Sequence, residues 1–157
     1  MKQIKLTQGK YTLVDDEEFD WLSKWSWCLH TNGYAQRGIF SKKRNINKMI
    51  LMHREIMKPR DEEWIDHINQ NKLDNRKSNL RICNASTNGA NQKISIKNTS
   101  GYKGVNWDKS RNKWLARIAI NKKQINLGRY NSLIDAALSY NQAAIKYFGE
   151  FSRLNML

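Results

Sequence analysis

An aspartate and a histidine stand side by side, Asp66-His67, where the apolar run that opens with Trp64-Ile65 gives way to polar sequence. Neutral imidazole is available near pH 7 because an unperturbed histidine titrates near 6.5, so His67 can take a proton from water. Carboxylate and amide oxygens are the donors that a hard cation prefers, and Asp66 and the asparagines that follow supply both kinds. A short apolar run of this type reads as a buried strand, with Asp66 and His67 on opposite faces at its exit. The next residues, Asn69-Gln70-Asn71-Lys72-Leu73-Asp74-Asn75-Arg76-Lys77-Ser78-Asn79, favour turns because their side chains bond nearby backbone. Leu80-Arg81-Ile82-Cys83 can return as a second strand, and Asn84-Ala85-Ser86 offers an N-cap for a helix carrying Asn88, Asn91 and Gln92. The order predicted is strand, loop, strand, helix.

Taken together, Asp66-His67, Asp74-Asn75-Arg76, Asn79-Leu80-Arg81 and Asn88 resemble the HNH nuclease family, in the homing-type branch of phages and introns where the last histidine is an asparagine. The resemblance implies a ββα-metal core that holds one divalent cation and hydrolyses a DNA phosphodiester. By position it makes His67 the general base and Asp66 and Asn88 the metal ligands, with Asn79 holding the loop so that the histidine ring is aimed. The cation expected is Mg²⁺, with Mn²⁺ as an alternative, and no small-molecule cofactor is called for. The chemistry suits these residue types: an activated water is needed on one side of the phosphorus and charge stabilisation of the leaving oxygen on the other.

Composition narrows the partner. With 28 basic against 14 acidic residues the chain carries a formal charge of +14, which points to a polyanion, and nucleic acid is the first candidate. A membrane surface is the rival, but the mean hydropathy of −0.79 comes with no run of 18 apolar residues. Met1-Lys2-Gln3-Ile4-Lys5 opens into polar sequence rather than a secretory leader, so the expected location is the cytoplasm of a prokaryotic or phage-infected cell. Cys28 and Cys83 lack Cys-x-x-Cys partners, and His30, His53 and His67 have no zinc-finger spacing.

Elements upstream must carry this core. Ile4-Lys5-Leu6 and Tyr11-Thr12-Leu13-Val14 read as strands joined across Gln8-Gly9, and the acids from Asp15 to Asp20 begin a short helix with Trp21 and Leu22. Trp25 and Trp27 alternate with Ser26 and Cys28 as in a strand, followed by a turn at Asn32-Gly33 and a strand over Tyr34-Ala35-Gln36-Arg37. Trp21, Trp25 and Trp27 are expected in the core, since a small module needs large aromatics to bury area. Ser41-Lys42-Lys43-Arg44-Asn45 is a solvated hairpin tip or a grip on phosphate. Residues 48–57 pass from strand to a short helix that ends before Pro59, the one proline; His53 there is expected to be packed or phosphate-facing, not catalytic.

After a linker at 93–100 the pattern changes. Strands are predicted at 101–107, 113–120 and 124–130, with Trp114, Ala116, Ile118 and Ile120 on one face. Ser132 and Asp135 suit a capping box, and Leu133, Ala136, Ala137, Tyr140, Ala144 and Tyr147 recur at helical spacing up to Gly149. This half resembles the APETALA/ethylene-response-factor DNA-binding domain through Tyr102-Lys103-Gly104-Val105, Lys113-Trp114, Ala116, Ile118, Leu127-Gly128-Arg129-Tyr130, Ala136-Ala137, Tyr140, Ala143-Ala144, Phe148-Gly149 and Asn155. The resemblance implies a sheet that enters the major groove, which is wide enough for β-strands. By position it turns Lys103, Asn106, Arg117, Gln124 and Asn126 outward toward bases and assigns Lys109 and Lys122 to phosphates. Asn and Gln pair best with adenine, a hint of A·T content in the target.

The fold class expected is therefore α+β: a β-rich N-terminal lead-in, a ββα-metal nuclease core, and a C-terminal three-stranded antiparallel sheet packed by one helix. The division expected is a nuclease region at 1–92 with its motif at about 50–92, the linker at 93–100, and a DNA-binding domain at 101–157. The function expected is an endonuclease acting on double-stranded DNA as a monomer or weak dimer, nicking one strand. A non-cleaving DNA-binding regulator with a degenerate motif is the alternative, and an RNA-directed or structure-selective nuclease a third reading.

Overall fold

Alternating burial and turn chemistry shape a series of short elements, seen in a computed structural model that describes residues 1–41 and 46–157. The basic stretch Lys42-Lys43-Arg44-Asn45 lies outside the described residues. The chain forms two compact units, Met1–Asn84 and Ala85–Leu157.

In the first unit β1 (Lys2–Lys5) and β2 (Tyr11–Val14) form an antiparallel hairpin. Asp16, Glu17 and Glu18 fill the first turn of α1 (Asp16–Leu22), where the exposed backbone N–H groups favour negative charge. Strands β3 (Cys28–Leu29), β4 (Ala35–Ser41) and β5 (Ile46–Leu51) make an antiparallel sheet in that order. The chain then turns directly into α2 (Met52–Met57), which Lys58 stops by adopting a left-handed conformation, φ 45°, ahead of Pro59. Finally β6 (Trp64–His67) pairs antiparallel with β7 (Leu80–Cys83). Leu6, Val14, Leu22, Trp27 and Met52 form the fully buried centre.

Two aromatic expectations need correction. The strand does not extend back through Trp25 and Trp27; Trp27 makes only an isolated bridge to Leu6. It is the sole one of the three tryptophans to be fully buried, with its Nε1 donating to the Leu22 carbonyl at 2.8 Å. Trp25 is 50% exposed and lies over the Arg37 guanidinium, 4.2 Å from ring centroid to Cζ. Arg37 is itself buried and paired with Glu55, so Trp25 serves as a lid on a cation rather than as filling for the centre.

In the second unit α3 (Ala85–Asn91) precedes β8 (Val105–Asp108), β9 (Lys113–Ile120) and β10 (Lys123–Tyr130), which form an antiparallel sheet in the order β10-β9-β8. Its inner face carries Val105, Ala116 and Ile118 against α4 (Leu133–Phe148), which contributes Ala136, Ala137, Tyr140, Ala143, Ala144 and Phe148. The small side chains let the helix axis approach the sheet closely. The Ser132 hydroxyl caps α4 by accepting from the Asp135 N–H at 3.3 Å. At the far end the buried position belongs to Phe148 and not to Tyr147, which is 44% exposed. Phe148 is four residues beyond Ala144 and eight beyond Tyr140, and so stays on their face where Tyr147 drifts off it. Asn98 and Ser100 are hydrogen-bonded to this unit, Ser100 donating to the Val105 carbonyl at 2.7 Å.

Candidate active site

The β6/β7 register sets Asp66 opposite Arg81 and His67 opposite Leu80. Both residues are buried. Arg81 donates to Asp66 Oδ2 from Nε at 3.0 Å and from Nη2 at 2.7 Å, anchoring that oxygen of the carboxylate. The intervening loop is closed by Asn79: its Oδ1 accepts from the Asn69 N–H at 2.9 Å, its Nδ2 donates to the Asp74 carbonyl at 2.8 Å, and its carbonyl accepts from Ile68 N–H at 2.9 Å. One side chain thus ties the exit of β6 to the middle of the loop. Asp74 takes a two-pronged contact from Arg76, which holds its carboxyl below the usual range, and a third bond from Asn69.

Asn75, which sequence reading left without a role, faces the histidine. It is fully buried, and its Oδ1 lies 3.3 Å from His67 Nε2 while its Nδ2 donates to Thr12 Oγ1 at 2.7 Å. Strand β2 runs along this part of the loop: the Leu73 carbonyl accepts from Leu13 N–H at 2.7 Å, and the Leu13 carbonyl accepts from Asn75 N–H at 2.8 Å. No spacing rule could have found Thr12, which is 63 residues from Asn75 in the chain.

His67 also packs against Tyr34 and His53, with ring centroids at 5.8 and 5.3 Å. Of the two readings of His53, the packed one holds: it is buried, and its Nδ1 has no hydrogen-bond partner. Burial, then the neighbouring His67 and Arg54, push its pKa down to about 3. Burial likewise pulls His67 below its ordinary value, against the opposing effect of Asn75, Asp66 and Asp74. These imidazoles are therefore neutral around pH 7.

The sign for stability follows directly. The unfolded chain binds a proton at His53 near pH 6.5 and the folded chain does not until about pH 3, so stability held above 6.5 is lost as the pH falls through that window. The loss approaches about 1.4 kcal/mol per pH unit for one such group. His53→Phe keeps a ring beside Tyr34 and removes the titration, so thermal melting should fall less steeply between about pH 6.5 and 4.5 than in the wild type. An unchanged slope would refute this assignment.

The two residues expected to ligate a cation carry oxygen donors and fall in different units: Asp66 on β6 in the first, and Asn88, half-buried, on α3 in the second. Among the described residues no three His, Cys, Asp or Glu side chains gather into a metal-sized group. That donor set fits a hard ion that keeps much of its water shell, and not the imidazole and thiolate cage of a structural zinc.

On the second unit, Asn106, Gln124 and Asn126 are exposed and Arg117 half-buried on the face of the sheet away from α4. The register puts Arg117 opposite Asn126, and Arg117 Nη1 donates to Gln124 Oε1 at 3.2 Å, which joins them into one polar patch. Lys109 and Lys122 are exposed in the two turns. Lys103 corrects the expectation of an outward side chain. Its ammonium turns in and donates to the carbonyls of Gly89, Ala90 and Gln92, and burial lowers its pKa to about 8. The carbonyls left open at the C-terminal end of α3 attract a cation, and Lys103 fills that place. Asn155 pins the same residue's backbone, accepting from Lys103 N–H at 2.7 Å.

No helix among the described residues is long and apolar enough to cross a membrane. The HNH endonuclease family profile matches residues 59–90, and the AP2 domain profile residues 100–150. Protein 3.8 of Escherichia phage T7 is 33% identical over 90 residues, covering 57% of this chain and 74% of that protein. An uncharacterized HNH endonuclease, L560, of Acanthamoeba polyphaga mimivirus is 29% identical over 153 residues, 96% of this chain and 77% of its own length. With the matched β6-loop-β7 segment now seen to hold Asp66, His67 and Asn79 on one buried hydrogen-bonded frame, the chain belongs to the HNH endonuclease family, with an AP2 DNA-binding domain following its nuclease domain.

Proposed function

We propose that the protein is a homing-type, metal-dependent endonuclease that hydrolyses phosphodiester bonds in double-stranded DNA and nicks one strand. The observation that carries this reading is the fixing of His67, the one histidine inside the matched HNH segment, by Asn75 within a loop that Asn79 closes. His67 acts as general base and takes the proton of the attacking water. Asn79 holds the loop that presents it. By the motif Asp66 and Asn88 would be the ligands of a divalent cation, Mg²⁺ or Mn²⁺, in a ββα-metal core, and such an ion would supply charge stabilisation at the scissile phosphate. Arg81 anchors one oxygen of the Asp66 carboxylate.

Target recognition falls to the AP2 sheet. Asn106, Arg117, Gln124 and Asn126 face the base edges, and Lys109 and Lys122 meet phosphates; with residues 1–92 cutting and 101–157 reading, the stretch 93–100 joins the two tasks. Because one base and one cation serve one strand, the other strand is left whole unless two copies assemble.

The test is supercoiled plasmid incubated with the full chain in Mg²⁺ and in EDTA. Open-circular product that appears with Mg²⁺ and is absent in EDTA is expected. Linear product from the outset, first order in monomer, would reject the nick. Retardation of duplex DNA with no cleavage in Mg²⁺, Mn²⁺ or Ni²⁺ across several DNA sources would replace the nuclease with a DNA-binding regulator.

A further inference from the structure

We infer that Thr12, in the N-terminal hairpin and outside both matched domains, is a positioning residue for the nuclease: through Asn75 it dictates which nitrogen of His67 carries the hydrogen, leaving Nδ1 as the basic atom. The inference rests on the reading of His67 as general base.

The argument is one of donors and acceptors. Thr12 is fully buried, and its hydroxyl has a single proton. The Leu73 carbonyl, 2.8 Å from Oγ1, can only accept, and so can the Met52 thioether at 3.8 Å. Whichever of these receives the proton, the hydroxyl can only accept from Asn75. The amino group of the Asn75 amide must therefore face Thr12, as it does at 2.7 Å, and its oxygen is left facing His67 Nε2 at 3.3 Å. An oxygen acceptor with no hydrogen of its own requires Nε2–H in the neutral ring. The lone pair then resides on Nδ1.

The direction of the chain matters as much as the bonds. An asparagine amide alone can turn over and offer either end, so Asn75 by itself leaves the tautomer open. Thr12 removes that freedom, and the backbone pairing of Leu13 with Leu73 and Asn75 keeps the hydroxyl in register with the amide. Which nitrogen is protonated is set by what the other one meets, and a wrongly set tautomer is costly in other histidine-dependent hydrolases.

The experiment is nitrogen NMR of the imidazoles in the ¹⁵N-labelled full chain at neutral to mildly alkaline pH, alongside plasmid cleavage with Mg²⁺. Wild-type His67, assigned by its loss in H67A, should show the Nε2–H pattern. Thr12→Val, which keeps the shape and removes the hydroxyl, should mix the tautomers and slow cleavage by about 10- to 100-fold, the usual effect of losing a partner that orients a functional histidine. Thr12→Ser should restore both. A wild-type ring in the Nδ1–H form overturns the proposal, as does T12V with wild-type tautomer and rate. If T12V does not fold, the wild-type spectrum still decides. Full cleavage by H67A would instead sink the general-base reading and leave the tautomer result standing by itself.

Discussion

Replacing His67 with alanine is expected to slow plasmid nicking by about 10²- to 10⁴-fold, the range over which positioned general bases act. Neither other histidine is placed to take over: His53 is buried against the His67 ring with its pKa pushed to about 3, and His30 spends its Nδ1 accepting from the Asn32 backbone N–H at 3.0 Å. Duplex retardation should persist, because the proposed reading face belongs to the sheet of the other unit. The substitution also removes a ring from the Tyr34–His53–His67 packing, so the measurement pairs nicking rates with thermal melting of the same preparation. A folded H67A that nicks within about threefold of the wild type, too small a change for a lost base, would move the base elsewhere.

The second large effect concerns Gly104. Its φ is +75°, a region that side chains avoid, and a Cβ there would stand 2.1 Å from the Tyr140 ring and 2.6 Å from the Arg117 carbonyl oxygen. Tyr140 is a buried side chain of α4, and the Arg117 carbonyl gains no relief by side-chain rotation because it is backbone of the central strand. Gly104→Ala therefore combines backbone strain of about 1–3 kcal/mol with overpacking of about the same size, on the order of 4 kcal/mol together. Gly149→Ala provides the comparison: φ is +51° there too, but nothing lies within 4 Å of the added carbon. Thermal melting should drop steeply for G104A and less for G149A, by the backbone cost alone of roughly 1–3 kcal/mol. Equal melting of the two variants would show that the contact with Tyr140 is not the cause. Loss of duplex retardation by G104A is expected to accompany its unfolding.

Local pattern made much of this fold legible. The alternation Trp114, Ala116, Ile118, Ile120 gave the inner face of β9 because a strand has a period of two, and the acids before Leu22 marked a helix start because its N–H groups attract them. Asp66 and His67 stood out as adjacent residues at the end of a short apolar run, and Asn79 through the resemblance to the HNH motif. What escaped were relations that no local rule encodes. Thr12 reads as an ordinary strand threonine until the fold sets it against Asn75. Trp25 looked like core because size suggests burial, yet stacking on Arg37 satisfied it at the surface. Lys103 looked like a DNA contact by its position in the APETALA/ethylene-response-factor resemblance. The open carbonyls of α3, 11 to 14 residues earlier in the chain, claimed it first.

The bonds from Leu13 to residues 73 and 75 also bear on how the enzyme comes into being and fails. The loop that holds Asp74 and Asn75 is clamped by a strand far from it in sequence, and the two bonds of Thr12 alone span 61 and 63 residues. Such distant pairings form only after the intervening chain has been drawn together, which makes the site among the later features to be completed as the protein folds. The same wiring works in reverse. A hairpin that peels away takes the Thr12–Asn75 bond with it, so partial unfolding at the N-terminus and loss of an ordered His67 are a single event. A chain damaged or trimmed there would keep an intact AP2 domain able to occupy DNA while its nuclease was disarmed.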